Sequence, residues 1–546
     1  MTRPLPPWAL VAHVLRRHGA DHVYGLPDDD MQSLARLTDV GISFHRFATQ
    51  RTAVAAAAGE ALARRAPAVA IIGRGPAVAA STSALLEARA SRAPLVLLCS
   101  ESVNGALGTR AFQWVDSAQL LAPAVDLVLR AEDGEGLARH LDAALCRAGT
   151  ANAGPVAIVV PDGIDPVPLP TLPHRTDVGA ILRSAAESPR TVLLVGGGAR
   201  AVLTAHDVEG LAAQLGAGIL VTASGRGGAR EDSDHFLGLS GLYLTQGAQG
   251  VLAQADTVLV LGSRLEETTV EGMPADASWL QVQVDPMDVA RELPGEYAIA
   301  DVRELTRAPV PSGHADPDWL RAVASASASA ARSGRAGTPP SSVVERVLGE
   351  LTDALPDGSR VVHENGLHDI SSHLADRFSL PAGGDAVALS EQTTLGFGAA
   401  AAVGIAVAEA HEHPPRLTVC ITGDGAFLTL LTDLAMLESA PLHLLYVVLD
   451  DGGYGWLERQ ARGEGISGRF TGGPRRVAEV VRAAHHADVL VLADPSSTAR
   501  CVREAIAAAA GGRPTVLVVP CEVDDALTLP ITMAPDQEQP HDAHDA

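Results

Sequence analysis

Short, uninterrupted apolar runs alternate along the chain with longer Ala-rich stretches whose apolar positions recur at helical spacing. Apolar runs without polar alternation read as strands buried on both faces, the habit of parallel sheets covered by helices. In the first part of the chain these runs are His22–Tyr24, Ala68–Ile72, Leu95–Cys99 and Val156–Val160. A Pro-rich connector, Asp165–Pro173, closes that block near residue 170. A second block, 178–308, offers Thr191–Val195, Gly218–Thr222, Thr257–Leu261 and Trp279–Val284. Residues 309–340, rich in Ala, Ser, Gly and Pro, read as a linker into a third block, 341–530. The polar tail 531–546 has little to bury and is expected to be disordered. The pattern predicts an α/β fold of three doubly wound parallel-sheet domains, 1–170, 178–308 and 341–530.

The third block holds the most informative feature. Two apolar runs, Leu417–Thr422 and Leu444–Leu449, flank a segment whose Leu430, Leu431, Leu434 and Leu437 predict a helix. The first run ends in Gly423-Asp424-Gly425 and the second in Asp450-Asp451-Gly452-Gly453-Tyr454-Gly455. Asp424 and Asp451, 27 positions apart, are thus delivered at the carboxyl edges of two strands, beside glycines that let backbone approach a ligand. Two hard oxygen ligands in such turns suit a magnesium ion holding a phosphorylated molecule.

Composition narrows the chemistry. The formal charge is −24 and aromatics make up only 3% of residues, so the cores are built from Ala, Val and Leu. Such a chain has no basic surface for nucleic acid and is repelled by anionic membranes. It contains no lysine, which excludes a lysine Schiff base and a Walker-type phosphate lysine. Cys99, Cys146, Cys420, Cys501 and Cys521 lack paired spacing and read as buried free thiols. No apolar run reaches membrane-spanning length and Met1–Trp8 lacks a signal-peptide core, so a soluble, cytoplasmic protein is expected.

The aspartate pair resembles the cofactor signature of thiamine-diphosphate enzymes: Gly-Asp-Gly, roughly two dozen residues, then Asn-Asn, here replaced by Asp450-Asp451. The resemblance covers most of the chain. Tyr24-Gly25-Leu26-Pro27, Gly75-Pro76 and Ala93-Pro94-Leu95-Val96 are similar to segments of that family's pyrimidine-binding domain. Phe112-Gln113, Ala223-Ser224-Gly225-Arg226-Gly227 and Leu261-Gly262-Ser263-Arg264 resemble its acetolactate synthase and pyruvate oxidase branch. The resemblance implies a pyrimidine-binding, a central and a diphosphate-binding domain, in that order.

It also implies roles. Asp424, Asp451 and the carbonyl of Gly453 would hold Mg2+ against the diphosphate, with the N–H groups after Gly423, at Gly425 and Ala426, on its oxygens. Thr393-Thr394-Leu395-Gly396-Phe397-Gly398 resembles the element that bends the cofactor, with Leu395 as the fulcrum and the Thr393 carbonyl as acceptor of its amino group. Gly366-Leu367-His368 resembles a Gly-Gln-His element, leaving His368 for the diphosphate. Tyr454 and Trp456 would shape the pocket, or merely fill a core.

The family's activating glutamate is missing. Counting without gaps back from Gly75-Pro76, and forward from Ile42, puts Gln50 in its place; registering on Glu60 would instead give Thr52. A glutamine can hydrogen-bond the pyrimidine N1′ but cannot exchange a proton at neutral pH, so slow ylid formation is expected. Asp29 aligns with a proton-handling Asp of pyruvate decarboxylases, or is an acidic turn or cap, and Phe112 and Gln113 would face the reacting carbon.

The resulting expectation is decarboxylation of a 2-oxo acid with carboligation to a second carbonyl compound, acetolactate synthase-like. Alternatives are simple decarboxylation to an aldehyde, or a catalytically impaired cofactor-binding paralogue. Val195-Gly196-Gly197-Gly198 falls short of a dinucleotide fingerprint, though FAD in the central domain stays open. Members of the thiamine-diphosphate family place active sites between subunits, so the resemblance implies a homodimer or homotetramer.

Overall fold

The computed structural model describes residues 4–26, 32–102, 110–148, 154–168, 178–309 apart from 286, 287, 289, 291, 292 and 294, then 314–333, 342–388, 392, 394–434, 441–468, 470, 476–484 and 487–523. Three six-stranded sheets follow one another along the chain. The first is built from β1 (His22–Gly25), β2 (Ser43–Arg46), β3 (Ala68–Ile72), β4 (Leu95–Glu101), β5 (Leu127–Arg130) and β6 (Val156–Pro161), in the order β2-β1-β3-β4-β6-β5. The second holds β7 (Thr191–Val195), β8 (Gly218–Val221), β9 (Phe236–Leu239), β10 (Thr257–Leu261), β11 (Ser278–Gln283) and β12 (Gly295–Ile299), ordered β12-β11-β10-β7-β8-β9. The third holds β13 (Arg360–His363), β14 (Asp385–Ala388), β15 (Thr418–Gly423), β16 (Leu444–Asp450), β17 (Asp488–Val491) and β18 (Thr515–Pro520), ordered β14-β13-β15-β16-β18-β17. All pairings within the sheets are parallel and helices flank each sheet, so the architecture is the doubly wound α/β fold read from the sequence.

Every apolar run named above lies on one of these strands, with ends displaced by two residues at most. Strands β2, β5, β9, β12, β13, β14, β17 and β18 carry none of those runs; β2 and β5, for example, are half-exposed edge strands that carry polar residues such as His45 and Arg130 where a central strand would be apolar. The segment between the aspartates is not one regular helix. It is a turn of helix at Asp424–Phe427, a 3-10 turn at Leu428–Leu430 and another short helix at Leu431–Leu434; Leu437 lies outside the described residues.

The first and third sheets are joined by two Ala-rich helices, Gln50–Arg64 and Phe397–Glu409, which pack directly on each other. Their crossing needs glycine: a Cβ on Gly59 would overlap the Ala401 backbone, and one on Gly404 the Ala56 backbone. Close backbone approach here replaces the large side chains that the chain largely lacks. The described cysteines Cys99, Cys420, Cys501 and Cys521 are free and buried, and no described helix is long and apolar enough to cross a membrane.

Candidate active site

Strands β15 and β16 are neighbours, and Gly423 pairs with Leu449, so Asp424 and Asp450 leave the sheet level with each other. Local hydrogen bonds shape both turns. The Gly425 N–H donates to Asp424 Oδ1 at 2.9 Å, Gly452 to Asp450 Oδ1 at 3.2 Å and Gly453 to Asp451 Oδ1 at 3.1 Å. The turns also touch each other: a Cβ on Gly425 would sit 2.9 Å from the Tyr454 ring and 3.3 Å from the Gly453 carbonyl oxygen. Burial, then the charges of Asp451 and Asp450, push the Asp424 carboxyl up to about 7. Carboxyls crowded together this way favour a proton or a metal cation among them. Among the described residues no three His, Cys, Asp or Glu side chains form a metal cage by themselves. Two carboxylates and a carbonyl leave further positions for phosphate oxygens and water, the coordination magnesium usually takes.

Above the turns lies a cavity of about 810 Å³. Its floor includes Gly423, Asp424, Gly425, Ala426, Asp451 and Gly453; Leu395, Tyr454 and Trp456 stand on its walls. His368 lines it too, from the short helix Leu367–His373. Burial holds this imidazole below its ordinary pKa, hence neutral, and its Nε2 is buried with no protein partner. An orphaned donor or acceptor beside a glycine floor is what an anionic ligand head group would satisfy. The donor set and the cradle therefore fit a magnesium diphosphate.

Three family models match the chain in order: the thiamine pyrophosphate enzyme N-terminal TPP binding domain over residues 8–120, the central domain over 178–308 and the C-terminal TPP binding domain over 373–519. The chain belongs to the thiamine pyrophosphate enzymes. Its relatives include the acetolactate synthase isozyme 2 large subunit of Escherichia coli, 25% identical over 461 residues that cover 81% of this chain and 82% of that protein. The acetolactate synthase large subunit of Haemophilus influenzae is 23% identical, with 81% of each chain covered. A probable acetolactate synthase large subunit of Methanocaldococcus jannaschii is 22% identical, over 81% of this chain and 79% of that one.

Of the remaining sequence candidates of this thiamine pyrophosphate enzyme, Gln50, Phe112 and Gln113 are not among the residues that line the cavity. No described wall residue of the cavity comes from the first sheet's part of the chain; its other wall is Thr222–Ser224, Leu242, Tyr243 and Glu266–Thr269. Gln50 opens the helix Gln50–Arg64, its side-chain oxygen buried without a partner, and its neighbour Arg51 donates to the Leu395 carbonyl at 3.0 Å. The same helix carries Thr52, the alternative given by registering on Glu60, whose hydroxyl bonds the Thr49 carbonyl. Neither position offers an ionisable group. Phe112 is largely exposed and its carbonyl accepts from Ser102, while Gln113 touches Gly75. Asp29 and Thr393 lie outside the described residues.

Three features escaped the sequence reading. Glu364, directly after β13, accepts N–H bonds from Asn365, Gly396 and Ala399 at 3.1, 3.3 and 3.0 Å. Its place just past a strand's carboxyl end, beside Asn365-Gly366, was the available signal. Glu87, buried in the helix Pro76–Ala90, accepts from the N–H groups of Gln392 and Thr394. On the cavity wall, Asp369 meets His373 Nδ1 at 2.6 Å and the phenol of Tyr243, which stacks on His373 with centroids 4.7 Å apart.

The second sheet's own crevice, where β7 and β10 diverge, is nearly closed. It leaves about 40 Å³ between Gly197, Gly198, Gly262 and Arg264, and Arg92 from the first part of the chain forms an ion pair with Asp288 at its rim. A Cβ on Gly196 would overlap the Gly262 carbonyl, so the two turns touch. At about 40 Å³ the crevice as it stands is far smaller than a dinucleotide.

Proposed function

We propose that this enzyme uses thiamine diphosphate and Mg2+ to decarboxylate a 2-oxo acid and to join the acyl unit to a second carbonyl compound. The observation that carries the reading is the convergence of Asp424, Asp451 and the Gly453 carbonyl on a glycine-floored cavity. Thiamine diphosphate supplies an electron sink for a carbanion at C2 of its thiazolium ring. The protein's share is binding and orientation. Asp424, Asp451 and the Gly453 carbonyl would hold the metal, the N–H groups of Gly425 and Ala426 and the His368 imidazole the diphosphate. Leu395 would press between the rings, with the Thr393 carbonyl beside the pyrimidine amino group. Tyr454 and Trp456 would bound the substrate space. The relatives named acetolactate synthase support joining of two carbonyl units over release of an aldehyde.

A second copy of the chain would complete the site. Support comes from the absence of first-block residues in the described wall and from exposed apolar side chains nearby, Tyr454, Trp456, Leu457, Ile466 and Phe470. Exposed Phe112, with Gln113, Gln50 and Asp29, would reach the cofactor of the partner, giving a homodimer or a pair of dimers.

Thiamine diphosphate and Mg2+ added together should raise the melting temperature, and neither alone should match that shift. The loaded protein should then release carbon dioxide from at least one member of a 2-oxo acid panel, slowly, and yield a hydroxyketone rather than an aldehyde. No thermal response would sink the cofactor assignment. A response without any carbon dioxide would leave the impaired paralogue, and an aldehyde product would sink carboligation.

A further inference from the structure

The segment 392–399 carries the proposed fulcrum Leu395, and two carboxylates from distant parts of the chain hold its backbone. Glu364 is wholly buried and caps the helix Phe397–Glu409 through the Gly396 and Ala399 N–H groups, while also accepting from Asn365. Glu87 is wholly buried as well and takes the Gln392 and Thr394 N–H groups at 3.1 and 3.3 Å, with Ser91 Oγ at 3.1 Å. The neighbourhood adds further contacts from the first part of the chain, Thr394 Oγ1 to the Ser83 carbonyl and Arg51 to the Leu395 carbonyl. Gly396 must follow Leu395 here, because its φ is +79° and a Cβ would overlap the Thr429 hydroxyl.

An acid buried in an apolar environment is costly unless its charge is matched by hydrogen bonds. Each of these carboxylates has its bonds, and four of the six come from backbone N–H groups between Gln392 and Ala399. We propose that Glu87 and Glu364 are positioning residues that fix the turn bearing Leu395, and so fix how far the thiamine diphosphate is bent. This rests on the cofactor reading above. Fixed side-chain geometry over an existing backbone is what a fulcrum requires, since small displacements of reacting groups lower rates steeply.

Both carboxyls are pushed up to about 7, chiefly by burial and against the pull of those N–H bonds; Glu266 faces Glu87, and Glu87 faces Glu364. Their ionised forms, dominant above that pH, grip N–H groups more strongly than the neutral acids. Protection of the 392–399 amides from hydrogen exchange, corrected for intrinsic rates, should therefore fall as pH drops through about 7. Global stability runs the other way. The folded state keeps these protons to about pH 7, whereas an unfolded glutamate releases them near 4.5, so stability present below 4.5 is lost as pH rises through 7.

The test compares wild type with Glu87→Gln, Glu87→Asp and Glu364→Gln. In the cofactor-free proteins, amide exchange over 392–399 should quicken by about tenfold in both glutamine variants and partly recover in Glu87→Asp. With saturating thiamine diphosphate and Mg2+, exchange of the cofactor's C2 proton should slow by about tenfold, while the dissociation constant changes by less than about fivefold. Unchanged amide protection in Glu87→Gln, or slower C2 exchange with an equal loss of affinity, would overturn the proposal. If a variant does not fold, the pH dependence of wild-type protection decides: a flat profile across pH 6 to 8 overturns it. Failure of wild type to bind the cofactor would fall on the functional reading alone, because the amide measurements need no cofactor.

Discussion

The second and third sheets are both parallel and doubly wound, in different strand orders, and they end in opposite ways. Each turns through glycines at the carboxyl ends of neighbouring strands. At the third sheet those turns carry Asp424, Asp450 and Asp451 and open on about 810 Å³. At the second they carry no carboxylate pair, press on each other, and leave about 40 Å³ edged by Arg92 and Arg264. Topology supplies the edge, and the side chains of a few turn residues decide whether it binds anything.

The largest expected effect strikes the open crevice. Asp424→Ala should weaken thiamine diphosphate binding in Mg2+ by at least about a hundredfold, roughly 3 kcal/mol, read by calorimetry. A variant that bound as well as wild type would detach the metal from this edge. A smaller change in the opposite direction is expected from Asp451→Asn. Removing one negative charge beside the diphosphate while keeping an oxygen ligand should tighten binding by about tenfold; a loss of affinity would show that the second carboxylate retains the metal. The closed crevice should give the smallest response of all. Added FAD should move the melting temperature by less than about 1 °C, in wild type and in Arg92→Ala alike, because Gly196 and Gly262 still touch without the arginine. Flavin absorbance in the purified protein would break the contrast.

What could be read in advance follows from how local each signal is. The aspartate turns, His368 and Leu395 each sit in a short motif with a strand or helix beside it, so a few consecutive residues suffice. The parallel sheets were legible for the same reason: β3, β4 and β7 are continuous apolar runs. Glu87 was not, because the amides it holds lie more than 300 positions away and nothing local distinguishes a buried acid on a helix from an exposed one. The choice between Gln50 and Thr52 depends on gaps that a linear count cannot see, and both positions lie in the first turn of the helix Gln50–Arg64. The separation of Gln50, Phe112 and Gln113 from the cavity is a matter of how whole sheets dock, which no motif records.

The touching pair of alanine helices, Gln50–Arg64 and Phe397–Glu409, has a practical consequence for anyone recombining this enzyme with its relatives. Gly59 and Gly404 each need a small partner on the opposite rod, so neither helix can be exchanged without the other. A chimera that imports the amino-terminal third alone keeps this seam only if the incoming helix has glycine where Gly59 stands and a small residue where Ala56 stands.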